Sequence, residues 1–518
     1  MLTYQYFKEK TIYYFPILVA VLLCGKYLLF QEYPSLAGGF YIAVGDQILN
    51  QFPKIATTVP HYTHDGVRLG MPPLAAIIVA ALYQVADPTK VAFTLPLVYH
   101  ICAVTAGTYL AKNYFSPDNF LQWLFVIMFG MTLAVSPSVT QWHITAGGTV
   151  RTLAYTFFLL VVSITIQLFR GGHQNRLLLL GIIVGFAASS HPFYGAMSCL
   201  TVFTGFLAFE PSRRGIKKVL ITGLIAAVPV STWLIPFTLN HGIDLYLGVS
   251  QTRGGLIHFT WSPLNRILQQ GFRGSIRPFW IYFGVAGAIT SIVRRRYFIV
   301  GLLIVSVYII PRPRFIIIPL LLSSGMLITK DVPELAYYIG GLQIKKTDKT
   351  ALFIVILLFL LALPTISMGF THNPEPFVDD HAVDVADWVE RETSPQATFI
   401  VADNFGEWFP LLAERTSLVA PRGAEWDPSG IRAQELRERN ELYDCETAEC
   451  IKQIAQSQPV RTNYVIVPQE MGVDSDKEST RMTDQLRDSE EFSCVYRNDG
   501  YSVFRSNPVE SGKSPEGV

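Results

Sequence analysis

Residues 34–74, PSLAGGFYIAVGDQILNQFPKIATTVPHYTHDGVRLGMPPL, lie between one apolar segment long enough to span a membrane and a series of others. The stretch is too polar to cross a bilayer and too long for a simple connector. It holds a short amphipathic run, 41–49, and ends in a Pro-Pro pair that suits the first turn of a helix. We therefore predict two short helices that do not cross the membrane and that shape a site at one membrane face.

The composition of the chain predicts an integral membrane protein. Half of the 518 residues are hydrophobic and 16% are charged, whereas soluble proteins average roughly 25% charged residues. The first apolar run, 12–30, has the ~20 residues needed to span, and no small-residue cleavage pattern follows it, so we interpret it as an anchor and not a signal peptide. The net charge of +1 argues against nucleic acid as a partner.

Four basic clusters set the topology through the positive-inside rule, which places Lys and Arg on the cytoplasmic side. The apolar runs between them predict about 11 spans, with the N-terminus inside and everything after residue 371 outside. The run 72–86 has about 15 residues, fewer than the ~20 of a span, so we predict that it does not cross. Reading 177–209 as one kinked helix is the alternative, and it would turn the third cluster outward. The clusters are Arg170 with Arg176; Arg213, Arg214, Lys217 and Lys218; Arg294, Arg295 and Arg296; and Lys345, Lys346 and Lys349.

The sequence divides into a multi-span membrane domain, 1–370, with an external loop at 31–90, and an extracytoplasmic α/β domain, 371–508. About 140 residues are enough for a small domain to bury its own core. The last residues, 509–518, are predicted to be disordered because they are polar and rich in Gly, Pro and Ser. The predicted fold class is thus an α-helical polytopic membrane protein with a C-terminal α/β domain.

Local patterns predict several elements of this α/β domain. The pattern of 381–392 is helical, and 398–402 and 464–467 read as strands. Asn498-Asp499-Gly500 between the alternating runs 494–496 and 501–504 predicts a hairpin. Cys445 and Cys450 could close a short disulfide outside the cell or remain two free thiols.

Ionisable residues are dense in the predicted exterior loops, and two arginines stand at the start of a span in Pro311-Arg312-Pro313-Arg314-Phe315. Charges held on the side where the topology rule disfavours them usually have a partner. Lipid headgroups or the tail domain are one candidate partner. A lipid-linked phosphate is the other, because a planar guanidinium matches phosphate oxygens. The candidate donor-phosphate residues are Arg151, Arg273, Arg312 and Arg314.

A second group of exterior residues suits acceptor or loop contacts: Tyr41, His61, His64, Arg68 and His143. The glycine pair 147–148 between His143 and Arg151 permits close backbone approach to a ligand, although a helix entry turn explains it nearly as well. His61, His64 and Asp65 could hold a divalent cation. Their spacing matches no tight helical pair, so we assign no metal site and no certain cofactor.

Taken in order, these features resemble the GT-C superfamily of membrane glycosyltransferases. The likeness rests on a first span, a loop aromatic with an amphipathic helix (Phe40, Tyr41, Ile42, Val44, Ile48, Leu49), Phe52-Pro53, a Pro-Pro-Leu helix, many spans and an exterior α/β tail. The tail pattern within 386–401 resembles the exterior domains of archaeal members of this superfamily. Among its members the chain looks most like archaeal dolichyl-phosphate-mannose mannosyltransferases of N-glycosylation. The resemblance implies transfer of a sugar, with mannose expected, from dolichyl or polyprenyl phosphate to a glycan or glycoprotein acceptor on the outer face, in N-glycosylation of surface-layer (S-layer) proteins.

One departure from the family concerns the catalytic base. The family usually carries an acid three to five residues before the loop tyrosine, whereas here 36–39, Leu-Ala-Gly-Gly, precedes Tyr41. If the chain is an enzyme, the base must come from Glu32, Asp46 or Asp65. The implied mechanism is direct displacement at the anomeric carbon, in which this base takes the acceptor proton and arginines stabilise the departing lipid phosphate.

Two other classes of protein compete with a transferase. A lipid-linked sugar transporter or flippase should carry ionisable residues or broken helices near mid-membrane. The predicted spans are nearly free of charge away from their ends, with Lys26 as the main exception. A catalytically inactive receptor or scaffold is favoured by the missing loop acid.

Overall fold

The computed structural model describes residues 2–33, 38–52, 54, 56–145, 148–172, 174–243, 278–335, 370, 376–420, 423, 431–445, 447–470 and 482–507. Among the described residues before 371, the regular structure is helical apart from the short strands β1 (Thr58–Val59) and β2 (Val67–Arg68). Its helices are α1 (Leu2–Phe30), α2 (Gly39–Gln51), α3 (Leu74–Tyr83), α4 (Pro88–Phe115), α5 (Phe120–Val135), α6 (Pro137–Thr140), α7 (Gly148–Phe169), α8 (Asn175–Ser190), α9 (Pro192–Phe209), α10 (Arg213–His241), α11 (Pro278–Val293), α12 (Tyr297–Ile304) and α13 (Pro313–Met326). Single π-helical turns follow α6, α12 and α13: Gln141–Thr145, Val305–Ile309 and Leu327–Asp331.

The described residues contain six helices that are long and apolar enough to cross a membrane, and five shorter apolar helices. Helices lie at ten of the predicted spans, and the polytopic helical fold class is confirmed. The last predicted span, before residue 371, lies outside the described residues except for Phe370. Helix α3 has 10 residues and is therefore about 15 Å long, half the thickness of a bilayer core.

Local chemistry explains where these helices begin. Proline occupies the first turn of α4, α9 and α13, where its missing N–H costs nothing and its φ angle is already helical. Side-chain oxygens accept backbone hydrogen bonds at other starts, which satisfies N–H groups that have no partner within the helix. These capping residues are Asp87, Asn119 and Ser212.

Helices α8 and α9 fold back on each other at His191. The His191 backbone is extended (φ −161°, ψ 128°) and separates the two helices. Leu180 in α8 and Phe206 in α9 belong to one apolar cluster, although 26 residues of continuous helix would separate them by about 39 Å. The segment is two helices, so the kinked-helix alternative is wrong.

Three of the four basic clusters lie at one end of the helix bundle. The Arg170 guanidinium donates to the Tyr114 carbonyl at the end of α4, 3.2 Å away, and the charges of Arg170 and Arg296 both act on Tyr114. Lys218 donates to the Leu168 carbonyl at 3.1 Å, near Arg170. The fourth cluster, 345–349, lies outside the described residues. This shared end agrees with the arrangement that the positive-inside rule predicts.

The C-terminal domain holds a five-stranded mixed sheet in the order β4-β3-β5-β7-β6, in which β4, β3 and β5 are parallel and β5, β7 and β6 antiparallel. The predicted strands, helix and hairpin are confirmed, and Cys445 and Cys450 form a disulfide. Helices cover both faces, since two separate apolar clusters contain residues of alternate positions along β3 and β5. The elements are α14 (Asp380–Glu392), β3 (Thr398–Val401), α15 (Phe409–Leu412), β4 (Thr416–Ser417), α16 (Ile431–Tyr443), α17 (Ala448–Ser457), β5 (Tyr464–Pro468), α18 (Met482–Asp488), β6 (Phe492–Arg497) and β7 (Tyr501–Ser506).

Candidate functional site

The two helices predicted in 34–74 are present and pack on each other. Helix α2 buries Phe40 and Val44 on one face and Ile42 on the opposite face, in two different apolar clusters, because helix residues two apart point in opposite directions. A methyl group on Gly45 would lie 2.2 Å from the Ala76 carbonyl oxygen of α3, so the absence of a side chain there permits the close approach. Apolar residues of α2 share one core with the first turns of α7. The loop therefore lies over the start of α7.

The loop between α2 and α3 extends the sheet of the C-terminal domain. Residues 61–63 run beside the edge strand β4, where the Ser417 N–H donates to the His61 carbonyl and the Thr63 N–H donates to the Ser417 carbonyl, both at 3.0 Å. Tyr62 is fully buried, and its hydroxyl donates to the Glu407 carbonyl at 3.2 Å. The loop and the domain are thus joined by backbone pairing as well as by side chains.

Trp408 of the C-terminal domain packs on the glycine pair before Tyr41. A methyl group on Gly38 would lie 2.8 Å from the Trp408 ring, and one on Gly39 would lie 3.0 Å from the Glu407 carbonyl oxygen. Trp408 is 0% exposed. Gly38, the described residue of the place where the resemblance leads one to expect an acid, is therefore covered by the domain.

The three carboxylates predicted as bases have different surroundings. Asp46 on α2 is half-buried and accepts hydrogen bonds from the Tyr83 hydroxyl and from Asn50, the latter at 2.8 Å. Asp65 is exposed and lies 2.9 Å from His64 Nε2, and Glu32 is exposed. Of these three carboxylates, only Asp46 accepts hydrogen bonds from two donors among the described residues. No hydrogen bond or ion pair between described residues joins any of the three to the arginines below.

Arg314 lies at the start of α13, where it is 4% exposed. Its guanidinium carbon is 5.2 Å from the centre of the Tyr194 ring and 5.4 Å from that of Phe315. The Tyr155 hydroxyl of α7 donates to the Arg314 carbonyl at 3.2 Å. A buried cation is thus fixed among aromatic rings where α7, α9 and α13 meet.

Two more of the arginines predicted to bind the donor phosphate lie near Arg314. Arg312 caps α13 and lies over the ring of Phe193, 5.8 Å from its centre. The charges of Arg151, Arg312 and Arg314 all act on Tyr194. Helices α9 and α13 also begin here, and helix N-termini carry partial positive charge. The structure therefore brings together three of the four arginines predicted to bind phosphate, and Arg273 lies outside the described residues.

His143 lies in the π-helical turn before α7 and is fully buried. Its ring centre is 4.5 Å from that of Tyr155 and 6.0 Å from that of His100. Burial lowers the pKa of His143, and the charges of His100, Arg314 and Arg151 lower it further. His143 thus belongs to the arginine cluster and not to the loop of Tyr41.

The other predicted contact residues lie in the loop over α7. The His61 ring is 3.2 Å from the Thr416 hydroxyl, and burial lowers its pKa. Tyr41 is half-buried on α2, and Arg68 is exposed on β2. In the described part of the chain no group of three or more His, Cys, Asp or Glu side chains could hold a metal ion.

Comparisons with known proteins identify the fold. No family profile matches the sequence, and no curated protein matches it either. The oligosaccharyltransferase AglB from Archaeoglobus fulgidus, solved with an inhibitory peptide and a dolichol-phosphate, has a TM-score of 0.55 at 14% identity, over 91% of this chain and 70% of that one. ArnT from Cupriavidus metallidurans, bound to undecaprenyl phosphate, has a TM-score of 0.53 at 11% identity, over 96% and 98%. The arabinofuranosyltransferase AftD from Mycobacteria has a TM-score of 0.57 at 13% identity, over 95% of this chain and 39% of that one.

The chain shares its fold with these three solved structures, which supports the predicted GT-C-like fold class. Sequence reasoning missed Trp408, Tyr155 and Tyr194. Tyr194 lies two residues after Pro192 at the start of α9, so the aromatic pair Phe193-Tyr194 was the available signal. Nothing in the sequence near Trp408 indicates its packing on a loop about 370 residues earlier.

Proposed function

We propose that this chain is a membrane glycosyltransferase that moves a sugar from a dolichyl- or polyprenyl-phosphate donor to a glycan acceptor on the outer face of the membrane. The observation that carries the proposal is the meeting of Arg151, Arg312 and Arg314 where three helices begin. It is supported by the fold, whose solved examples include proteins bound to dolichol-phosphate and to undecaprenyl phosphate. Mannose as the sugar and the N-glycans of archaeal S-layer proteins as the acceptor are the finer form of the proposal.

In this proposal the arginine cluster binds the phosphate of the lipid carrier. The phosphate gains one negative charge when its bond to the sugar breaks. Guanidinium groups and helix N-termini already in place stabilise that charge without reorganisation during the reaction. The rings of Tyr194 and Phe315 fix the Arg314 guanidinium, so the site is pre-organised.

Asp46 is the carboxylate that we assign as general base. It is half-buried on the helix that lies over α7, and two donors fix its position, whereas Glu32 and Asp65 are exposed. Asp46→Asn is expected to lower turnover by roughly 10²- to 10⁴-fold. Binding of the lipid donor should stay unchanged, and Asp65→Asn, the matched control, should keep turnover within about threefold. Equal loss in both variants would reject the assignment.

The proposed orientation places the N-terminus in the cytoplasm and the C-terminal domain outside the cell membrane. The Cys445–Cys450 disulfide supports it, because disulfides persist in oxidising compartments. The basic clusters at the opposite end of the bundle support it as well. Labelling of Cys494, which is exposed, by a membrane-impermeant thiol reagent in intact cells would test it, and protection from the reagent would contradict it.

The function is tested with purified protein in nanodiscs, a polyprenyl-phosphate donor carrying radiolabelled mannose, and a glycan acceptor. Arg314→Ala is expected to lower transfer by roughly 10²- to 10³-fold, the usual effect of removing one stabilising donor. The control is Arg294→Ala, because Arg294 pairs with Glu334 at the other end of the bundle. Wild-type protein that transfers no sugar from any such donor would reject the proposal. Movement of the lipid-linked sugar across the membrane of protein-containing vesicles, without transfer of the sugar to the acceptor, would identify a flippase.

A further inference from the structure

The arginine cluster contains two buried polar side chains that have unused hydrogen-bond donors. His143 is 0% exposed, and in the described part of the chain neither ring nitrogen has a hydrogen-bond partner. Tyr194 is also 0% exposed; the Arg314 guanidinium interacts with its hydroxyl oxygen, but the hydroxyl donates to no acceptor among the described residues. A buried donor without an acceptor destabilises the folded protein. Two such donors in one place indicate that the site is built for a polar ligand.

The two side chains lie close to the same residues, His143 in the turn before α7 and Tyr194 on α9. Both pack on the Tyr155 ring, with ring centres 4.5 Å from His143 and 6.1 Å from Tyr194. The positive charges of Arg151 and Arg314 act on both His143 and Tyr194. The further groups that face them are His100 on α4, and His191 and Arg312 at the starts of α9 and α13. The surroundings are cationic or neutral in the described part of the chain, so the matching ligand is an anion.

The backbone around the site is also unusual. His143 lies in the π-helical turn Gln141–Thr145, and a second π-helical turn, Val305–Ile309, leads into the arginine segment. Such turns are rare in proteins and occur often at functional sites. They place His143 where a regular helix would direct another side chain.

We propose that His143 and Tyr194 donate hydrogen bonds to the phosphate oxygens of the lipid carrier, as the two neutral members of the site that the arginines form. This inference rests on the proposed function and deepens it, because it names the residues that recognise the leaving group beside the cations. The sequence predicted His143 as an acceptor contact, and this proposal assigns it to the phosphate of the sugar donor instead.

The reaction gives these neutral donors a role. The donor phosphate is a diester with one negative charge. Transfer breaks the bond between the anomeric carbon and the phosphate oxygen, and the electron pair stays on that oxygen. The acceptor oxygen forms the new bond to carbon, and its proton passes to the base. The phosphate becomes a monoester with one more negative charge, so hydrogen bonds to it strengthen as the reaction proceeds.

Neutral donors suit the release of the product. A fourth cation would bind the more anionic lipid phosphate more tightly after transfer and slow its departure. A neutral imidazole and a phenol add directional hydrogen bonds without a further full charge.

The test measures binding of radiolabelled undecaprenyl phosphate to the full-length protein in phosphatidylcholine nanodiscs. Tyr194→Phe and His143→Leu are each expected to weaken binding by at least about 10-fold, the effect of losing a hydrogen bond to a charged group. His143→Gln keeps an N–H donor and should stay within about fivefold of wild type. The matched control is Tyr99→Phe, since the Tyr99 hydroxyl also has no partner in the described residues but no arginine charge acts on it.

Each outcome decides between defined alternatives. Wild-type protein that does not bind undecaprenyl phosphate would overturn the proposed function together with this inference. Wild-type binding that persists unchanged in Tyr194→Phe and His143→Leu would overturn the inference alone. Equal weakening in Tyr99→Phe would also overturn it, as a general packing effect. Equal displacement of the probe by phosphatidic acid would assign the site to membrane headgroups. Tyr194→Phe keeps the ring, so it remains decisive if His143→Leu does not fold.

Discussion

Trp408→Ala is expected to detach the exterior loop from the C-terminal domain without unfolding either part. The indole is 0% exposed and is packed on the backbone of Gly38 and Gly39. Removing a buried Trp side chain costs roughly 3–5 kcal/mol when the cavity cannot collapse. The glycines have no side chains that could fill the space. Most of this cost should therefore fall on the contact between loop and domain.

The expected magnitude follows from the local opening of that contact. A loss of 3–5 kcal/mol corresponds to about two to three and a half orders of magnitude in an opening equilibrium. The backbone N–H groups of Thr63 and Ser417 pair across the contact, so their hydrogen exchange reports on it directly. Their protection should fall by that factor, and trypsin should cut faster at the exposed Lys54.

The control is Trp388→Ala in the same domain. Trp388 belongs to α14 and is stacked on Tyr496, with ring centres 5.0 Å apart. This variant should leave exchange at Thr63 within about threefold of wild type. Unchanged protection of Thr63 and Ser417 in folded Trp408→Ala protein would refute the reasoning. It would show that backbone pairing alone holds the loop.

Three further predictions concern stability measured by thermal unfolding. Burial raises the pKa of Asp403 to about 7, so the folded protein favours the protonated carboxyl and loses stability as the pH rises from about 4 to 7. This group should make the protein about 2–3 kcal/mol more stable at pH 5 than at pH 8. Asp403→Asn should remove that difference. Asp331→Asn should cost roughly 3–5 kcal/mol, because it breaks a buried pair with Arg296 at 2.6 Å, whereas Glu334→Gln in an exposed pair should cost at most about 1 kcal/mol. Gly45→Ala should cost about 1–3 kcal/mol through overpacking against α3.

Local patterns predicted much of this fold, because each depends on a few neighbouring residues. Apolar runs located the helices at ten predicted spans, and Asn498-Asp499-Gly500 located the hairpin of β6 and β7. The short Pro-Pro helix was predictable for the same reason, because the length of the apolar run 72–86 and the Pro-Pro pair at its start are local features. The basic clusters at Arg170 and Arg213 were expected on the same side of the membrane. This required an even number of crossings between them and so predicted α8 and α9 as two helices.

Long-range contacts were not predictable, because nothing local specifies them. The pairing of Tyr62 with Ser417 joins residues 355 positions apart, and no pattern in either segment marks an edge partner. The sequence predicted only that the arginines lie on the same side of the membrane, and not that they form one cluster. Which aromatic rings surround Arg314, and that His143 belongs there, depends on how α7, α9 and α13 pack.

Gly38 and Trp408 together explain why an acid does not fit at the described part of the place where the resemblance leads one to expect it. An acid at Gly38 would press its Cβ against the Trp408 ring, 2.8 Å away. Asp46 follows Gly38 by eight residues and lies about 12 Å further along the axis of α2. If Asp46 is the base instead, Gly38→Asp should not restore transfer to Asp46→Asn protein. Recovery of transfer by that double variant would show that the domain moves aside during turnover, and would refute the fixed contact described here.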